Sequence, residues 1–259
     1  MTASASRLPL QSRPISTTDL LKLLGIVLVF VDHHGFFFDP ENMWWRLFGR
    51  VAAPIFFFLI GFARTRRVPW TWFAVGILLT AINVWKAESL LGTMVNIMIN
   101  FALLRALVLP SVERHIMQRP LAVALLIEGC VLLIPVTDGP LEYGTEGWLW
   151  AFLGLAHRLS LEGQTSQTVW TRNGIAGATA MAYTVREAHD YGFTGIQTMI
   201  LVVLVAGLCA ALICFRREPL AWQPPPSLAA LFRFCGRHTL KIYGISVLAS
   251  HVIAYAITL

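Results

Sequence analysis

Residues 20–38 read LLKLLGIVLVFVDHHGFFF, and this stretch decides the class of fold. An α-helix needs about 20 apolar residues to cross the core of a bilayer, which is roughly 30 Å thick. The stretch nevertheless contains Asp32, His33 and His34, and an ionisable side chain at that depth costs about 2.5–3.5 kcal/mol on insertion scales. The segment therefore predicts a membrane span that carries a polar, functional cluster.

Helical spacing places Lys22 and His33 on one face of this span. Eleven steps of about 100° return to within roughly 20° of the starting direction, about 16 Å further along the axis. Gly25, Ile26 and Val29 lie on the same stripe. A narrow face is therefore expected to run from a cation near one surface to an imidazole inside the membrane.

Adjacent helical residues do not face each other. If the helix is unbroken, one of His33 and His34 can face the interior of the bundle while the other is turned away. Asp32 has the same limitation as a partner for His33. We therefore expect Asp32 to pair with a cation on another helix, and Arg46 and Arg50 at the start of the second span are the nearest candidates.

The composition is typical of a polytopic membrane protein. Of the 259 residues, 56% are hydrophobic and 13% are charged, and the mean hydropathy is +0.66. The formal net charge of +6 comes from short basic clusters between apolar runs, which is the pattern of topology signals. The lipid bilayer is therefore an expected partner and nucleic acid is not.

The apolar segments predict an all-α integral membrane bundle of about nine transmembrane helices, within a range of eight to ten. They are expected at residues 20–38, 46–63, 70–85, 90–109, 121–136, 148–159, 174–185, 193–215 and 239–259. The Gly- and Ala-rich segment 174–185 is the weakest of these, and the amphipathic segment 227–237 is expected along the membrane surface. Residues 1–17 are expected to form a disordered cytoplasmic tail, and residues 18–259 a single transmembrane domain.

Lys and Arg concentrate in alternate loops, which places the amino terminus in the cytoplasm under the positive-inside rule. The loop after the second span carries the densest of these clusters, Arg64, Arg66 and Arg67. On this topology Lys22 lies at the cytoplasmic end of the first span, and His33 lies in the outer half of the membrane.

Two motifs in consecutive spans resemble a known family. Residues 31–35 read VDHHG, and residues 48–61 read FGRVAAPIFFFLIG. This pairing resembles the TraX family of conjugative pilin acetylases, which is similar in turn to the wider membrane acyltransferases. The first helix of that wider group carries a basic residue, ten others and a catalytic His, and Lys22 and His33 fit this spacing. Ser246 stands where the last helix of the wider group often has a further His.

The resemblance implies a multi-pass enzyme of the bacterial inner membrane. It would transfer an acetyl group from acetyl-CoA to the N-terminal amine of a pilin, or of another peptide acceptor, during maturation of the conjugative pilus. No metal ion is expected. Imidazole suits the base that takes the proton of the attacking amine, so His33 is expected in that role. Asp32 would hold a cation in place or fix the tautomer of an imidazole. Arg50 would bind Asp32 or the negative charge that develops during the reaction. A covalent acetyl-His33 relay stays open as a second route.

The expected site residues form two groups. The catalytic group is His33, Asp32, Arg50 and His34, and the group expected to contact CoA is Lys22, Arg64, Arg66, Arg67, Asn96 and Asn100. Two other functions stay open: acyl transfer to a sugar or polysaccharide hydroxyl, and proton-coupled transport. Transporters usually show internal repeats, and no such repeat is found in this sequence.

Overall fold

The computed structural model describes residues 14–87, 94–163, 168–222 and 224–258. Apart from isolated β-bridges, the regular structure in these ranges is helical, which confirms the all-α class. Most of the expected tail, residues 1–13, lies outside the described ranges. The end of that predicted tail is ordered, because Ile15 is fully buried and Ser16 caps the first helix.

The helices follow one another along the chain with short connections. They are α1 Thr17–Phe38, α2 Met43–Gly49, α3 Ala52–Phe62, α4 Trp70–Ala87, α5 Ile97–Leu103, α6 Leu109–His115, α7 Pro120–Thr137, α8 Gly144–Leu161, α9 Thr168–Asp190, α10 Gly195–Ile213 and α11 Pro226–Thr258. Among the described residues, five segments are long and apolar enough to cross a membrane: α1, α2 with α3, α7, α10 and α11. Residues 70–85 form a shorter apolar helix.

The fourth predicted span is displaced along the chain. Residues 90–93 lie outside the described part, and the helix begins only at Ile97, because the side chain of Asn96 caps it by accepting the N–H of Met98 at 3.1 Å. The chain then passes through a π-helical turn, Leu104–Val108, and stays helical to His115. The helix therefore continues past residue 109, where the span was predicted to end.

The last two predicted segments, 227–237 and 239–259, form the single helix α11. Its backbone leaves helical geometry at His238, with φ −109° and ψ 16°. Near this break, the carbonyl oxygen of Gly236 accepts hydrogen bonds from Nζ of Lys22 at 2.9 Å and from the hydroxyl of Thr239 at 3.3 Å. Lys22 thus joins α1 to the kink in α11.

Helices α3 and α8 form the centre of the bundle. Nine of the eleven residues of α3 are buried, and so is the whole run 149–159 of α8. Glycines allow the two backbones to touch: a Cβ atom on Gly61 would overlap the carbonyl of Ala151, and one on Gly154 would overlap the carbonyl of Phe58. The motif helix α3 is therefore fixed by direct backbone contact.

We expect Gly61→Ala to destabilise the protein by at least about 3 kcal/mol, because the added methyl group forces two packed helices apart. Gly129→Ala is the matched control, since an added Cβ at Gly129, inside α7, meets no atom within 4 Å. Alanine is the better helix former by about 1 kcal/mol, so the control is expected to be neutral or slightly stabilised. Thermal unfolding in detergent measures both, and equal stability of the two variants would contradict the packing described.

Candidate functional site

His33 lines a small cavity of about 40 Å³ between α1, α3, α5, α11 and the loop that joins α7 to α8. Its polar lining consists of Asp32, His33, Glu142, Tyr143 and Tyr243. The His33 ring packs against Phe37 and Tyr243, with centroids 6.0 and 5.8 Å apart. Its Nδ1 atom is buried and has no hydrogen-bond partner among the described residues. The hydrogen-bonding capacity of that nitrogen is therefore not used by the described part of the protein.

The two neighbouring histidines face different surroundings. His34 is exposed, and its ring lies 4.6 Å from that of Trp45, outside the cavity. Gly25, Ile26 and Val29, which were predicted to share the helical face of His33, are buried. The prediction that only one histidine faces the interior is confirmed, and the position of His34 gives no support to the catalytic role expected for it.

Asp32 is held by two guanidinium groups. Nε of Arg50 donates to Oδ1 of Asp32 at 3.0 Å, and a second nitrogen of Arg50 contacts Oδ2. Nη1 of Arg46 lies 2.8 Å from the same Oδ2. Both arginines also donate to the hydroxyl of Tyr191 at 2.8 Å. The predicted pairing of Asp32 with the second span is therefore confirmed, and it involves both candidate arginines.

The close approach of the two motifs depends on a glycine. A Cβ atom on Gly49 would overlap Asp32, so α1 and α2 come together only because residue 49 has no side chain. Arg50 is 7% exposed, and its carbonyl oxygen accepts the hydroxyl of Tyr183 at 2.6 Å. The ion pair is thus enclosed by protein on the side of α9.

The loop between α7 and α8 supplies a carboxylate that sequence reasoning missed. Oε2 of Glu142 accepts the backbone N–H of Ile97 at 2.8 Å and Nδ2 of Asn96 at 3.3 Å. The same Asn96 amide donates to the hydroxyl of Tyr243 at 3.2 Å. Burial raises the pKa of Glu142, and the hydrogen bond from Ile97 opposes that shift. A carboxylate and a phenol therefore stand in the cavity beside His33.

Asn96 and Asn100 were expected to contact CoA, but neither lines this small cavity or the larger cleft beside it. Nδ2 of Asn100 donates to the carbonyl of Glu142 at 2.9 Å, and its Oδ1 accepts Nε1–H of Trp148 at 2.7 Å. The asparagine side chains bind the α7–α8 loop to α5 instead. Their placement explains the fixed position of Glu142.

A larger cleft, of about 910 Å³, opens beside the small cavity. It is formed by the starts of α1 and α4, the ends of α3 and α8, the segment after α10, and α11. Its basic side chains outnumber its two acidic ones, Glu162 and Glu218; they are Lys22, Arg64, Arg105, Arg158, Arg216, Arg217, Arg237 and Lys241. A concave surface with this charge attracts anions, phosphates in particular.

Three apolar side chains, Phe56, Phe101 and Leu240, line both the cleft and the small cavity. They form the partition between the two spaces. The ring of Phe56 lies directly over Gly25, where a Cβ atom would come within 2.7 Å of it. The cavity that His33 lines thus borders a basic cleft along three apolar side chains.

The arginine cluster expected to contact CoA is divided by the fold. Arg64 lines the cleft and pairs with Glu162 at 2.8 Å, whereas Arg66 and Arg67 do not line it. Arg66 pairs with Glu113 at 2.6 Å, and Arg158 contacts the same carboxylate at 2.5 Å. Partial burial raises the pKa of Glu113, but the hydrogen bonds from these two arginines outweigh it and hold the pKa below its ordinary value. Arg66 therefore joins α3 to α6.

From the sequence, Arg216, Arg217 and Arg237 were interpreted only as topology signals, and Lys241 was given no role. Arg216, Arg217, Arg237 and Lys241 lie on the segment after α10 and on α11, far along the chain from the family-like motifs. Their density was the one signal that could have indicated an anion site. Lys22 was expected at such a site, and it does line the cleft.

Searches of curated proteins and of solved structures give no match for this chain. One family model, described as TraX protein, matches residues 17–187. The match covers well over half of the chain and includes both motifs and the α7–α8 loop, whereas Tyr243 and the rest of α11 lie outside it. With its long apolar helices, the chain is therefore a membrane protein that belongs to the TraX family.

Proposed function

We propose that this protein is an acetyltransferase of the bacterial inner membrane that moves an acetyl group from acetyl-CoA to the N-terminal amine of a conjugative pilin subunit. One observation carries the proposal. His33, whose buried Nδ1 atom has no hydrogen-bond partner among the described residues, lines a cavity that shares three side chains with a large basic cleft. A cleft for an anionic donor beside an available base is what acyl transfer requires.

The cleft suits the donor. Its volume of about 910 Å³ falls within the usual range for small-molecule sites, about 300–1,000 Å³. The phosphates of CoA would lie among the exposed basic residues, such as Arg237 and Lys241, and the thioester would point towards Phe56. Arg64, Arg216 and Arg217 also lie in loops that the positive-inside rule assigns to the cytoplasm, where acetyl-CoA is available.

The proposed reaction proceeds at the thioester carbonyl. The acceptor nitrogen attacks the carbonyl carbon, the carbon–sulfur bond breaks, and the acetyl group remains on nitrogen as an amide. The acceptor ammonium gives up two protons: the CoA thiolate takes one, and the other leaves through His33 acting as base. The hydroxyl of Tyr243 lines the cavity, and because it accepts the hydrogen bond from Asn96, its own hydrogen can be donated to the developing oxyanion.

The proposal is tested with purified full-length protein, acetyl-CoA and a synthetic pilin peptide. CoA release together with a peptide mass shift of one acetyl group is the expected result. Acetyl transfer to a sugar or polysaccharide hydroxyl but not to the peptide would instead favour an O-acyltransferase. Absence of thioester cleavage with every acceptor would overturn acyl transfer and favour proton-coupled transport.

Removing two charges from the cleft, with Arg237→Gln and Lys241→Gln together, is expected to raise KM for acetyl-CoA about tenfold. Each exposed charge contact contributes up to about 1 kcal/mol, and a loss of uniform binding leaves kcat almost unchanged. The effect should shrink as salt is added. Arg114→Gln, which changes an exposed residue of α6 outside the cleft lining, is the control. Identical KM values for the double variant and the Arg114→Gln control would place the CoA phosphates elsewhere.

A further inference from the structure

The charge of Asp32 is already neutralised inside the protein. Both of its oxygens bind Arg50, and one also binds Arg46. A carboxylate shared by two guanidinium groups has little negative potential left for a third cation. The cavity beside His33 therefore needs another carboxylate if it is to bind a positively charged group.

Glu142 is the carboxylate that remains. Its Oε2 accepts two hydrogen bonds, from Ile97 and Asn96, whereas its Oε1 accepts none from any residue in the described ranges. The backbone of Glu142 is fixed as well, because its N–H donates to the carbonyl of Val95 at 3.0 Å and its own carbonyl accepts Nδ2 of Asn100. The structure thus holds one carboxylate oxygen in place and leaves the other for a ligand.

The geometry points to Glu142 as the residue that binds the ammonium group of the acceptor and makes the site selective for amines over hydroxyls. This inference rests on the proposed acetyl transfer. An N-terminal amine is largely protonated near neutral pH, so it arrives as a cation. A bound ammonium favours the ionised form of Glu142, against the effect of burial, and the pair forms a charge-assisted hydrogen bond. His33 then takes one proton, and the neutral amine attacks. A hydroxyl acceptor carries no charge and gains nothing comparable from Glu142.

The test compares Glu142→Gln with the unsubstituted protein. Glutamine keeps the size of the side chain and an oxygen for the N–H of Ile97, but it has no charge. The acceptors are a pilin peptide and the same peptide with an α-hydroxy acid in the first position. For the amine peptide, KM is expected to rise by roughly 30-fold or more, whereas the hydroxyl peptide should change by less than about threefold. Glu128→Gln, on an exposed position of α7, is the control.

A second measurement needs no variant. In the absence of acetyl-CoA, the unsubstituted protein should bind the amine peptide at least about tenfold more tightly than its N-acetylated product, because only the amine carries the charge that Glu142 recognises.

Each other outcome has a distinct meaning. If Glu142→Gln lowers kcat by the same factor for both acceptors and leaves KM unchanged, Glu142 only holds the α7–α8 loop in place, and the inference is wrong. Equal affinity for the amine peptide and its acetylated product would also overturn it. If the unsubstituted protein acetylates only the hydroxyl peptide, the selectivity fails while acyl transfer stands. If it acetylates neither, the proposed function fails first.

Discussion

His33→Ala is expected to lower kcat for peptide acetylation by about 10²–10⁴-fold, the usual contribution of a positioned general base. The imidazole lines the cavity, and its buried Nδ1 atom has no hydrogen-bond partner in the part of the chain that the structure describes. Acetyl-CoA should still bind with nearly unchanged affinity, because the basic cleft lies beyond the apolar partition. Steady-state release of CoA gives kcat, and equilibrium binding of CoA gives the affinity.

His34→Ala is the matched control, since it removes the neighbouring imidazole from an exposed position outside the cavity. It should retain most of the activity. A loss below about tenfold in His33→Ala, or equal losses in the two variants, would remove His33 from the chemistry. The intact mass of the protein after incubation with acetyl-CoA alone separates direct transfer from a covalent relay, because only the relay leaves an acetyl group on His33.

Arg50→Ala is expected to lower the free energy of unfolding by about 3–5 kcal/mol, the cost of breaking a buried ion pair by removing one partner. The substitution takes two hydrogen bonds from Asp32 and one from the hydroxyl of Tyr191. Arg46 is then the remaining cation at Asp32. Unfolding in detergent micelles measures the loss, and Arg50→Lys should recover part of it, since lysine restores the charge but not the two-pronged geometry.

Arg64→Ala is the control for stability. Its guanidinium also forms an ion pair, with Glu162, but the side chain is 81% exposed, and such a pair contributes about 0–1 kcal/mol. The double variant Asp32→Ala with Arg50→Ala should lose less than the sum of its two single changes, because both single changes remove the same contacts between Asp32 and Arg50. A strictly additive result would show that the pair does not act as a unit.

The first span and its ion pair could be predicted because they depend on short-range geometry. Helix α1 is continuous from Thr17 to Phe38, so a fixed rotation per residue correctly separates the faces of His33 and His34. Asp32 and Arg50 lie 18 residues apart in two consecutive helices, where few other partners compete. In both cases, the spacing of residues along the chain is enough to predict the contact.

The other side of the cavity could not be predicted in this way. Asn96 contacts Glu142 and Tyr243, which lie 46 and 147 residues further along the chain. No periodicity relates these positions, and Glu142 is one of several acidic residues in a loop. Its backbone pairing with Val95, which a sequence does not display, selects it from the others.

The arginine cluster shows a related difficulty. The sequence shows Arg64, Arg66 and Arg67 only as members of one basic loop. In the structure, Arg66 forms an ion pair with Glu113, whereas Arg64 lines the cleft. Charge alone does not separate an arginine that binds a neighbouring helix from one that is available to a ligand. That distinction depends on where α6 and α8 place their carboxylates.

The partition of Phe56, Phe101 and Leu240 has a kinetic consequence. If the proposed thioester binds in the cleft, at least one of these side chains has to move aside before it reaches His33, so a passage would open before any bond changes. Gating steps of this kind set the turnover of many enzymes. The rate of turnover would then be limited by the movement of one of these side chains, and the closed wall would shield the thioester from water between productive encounters.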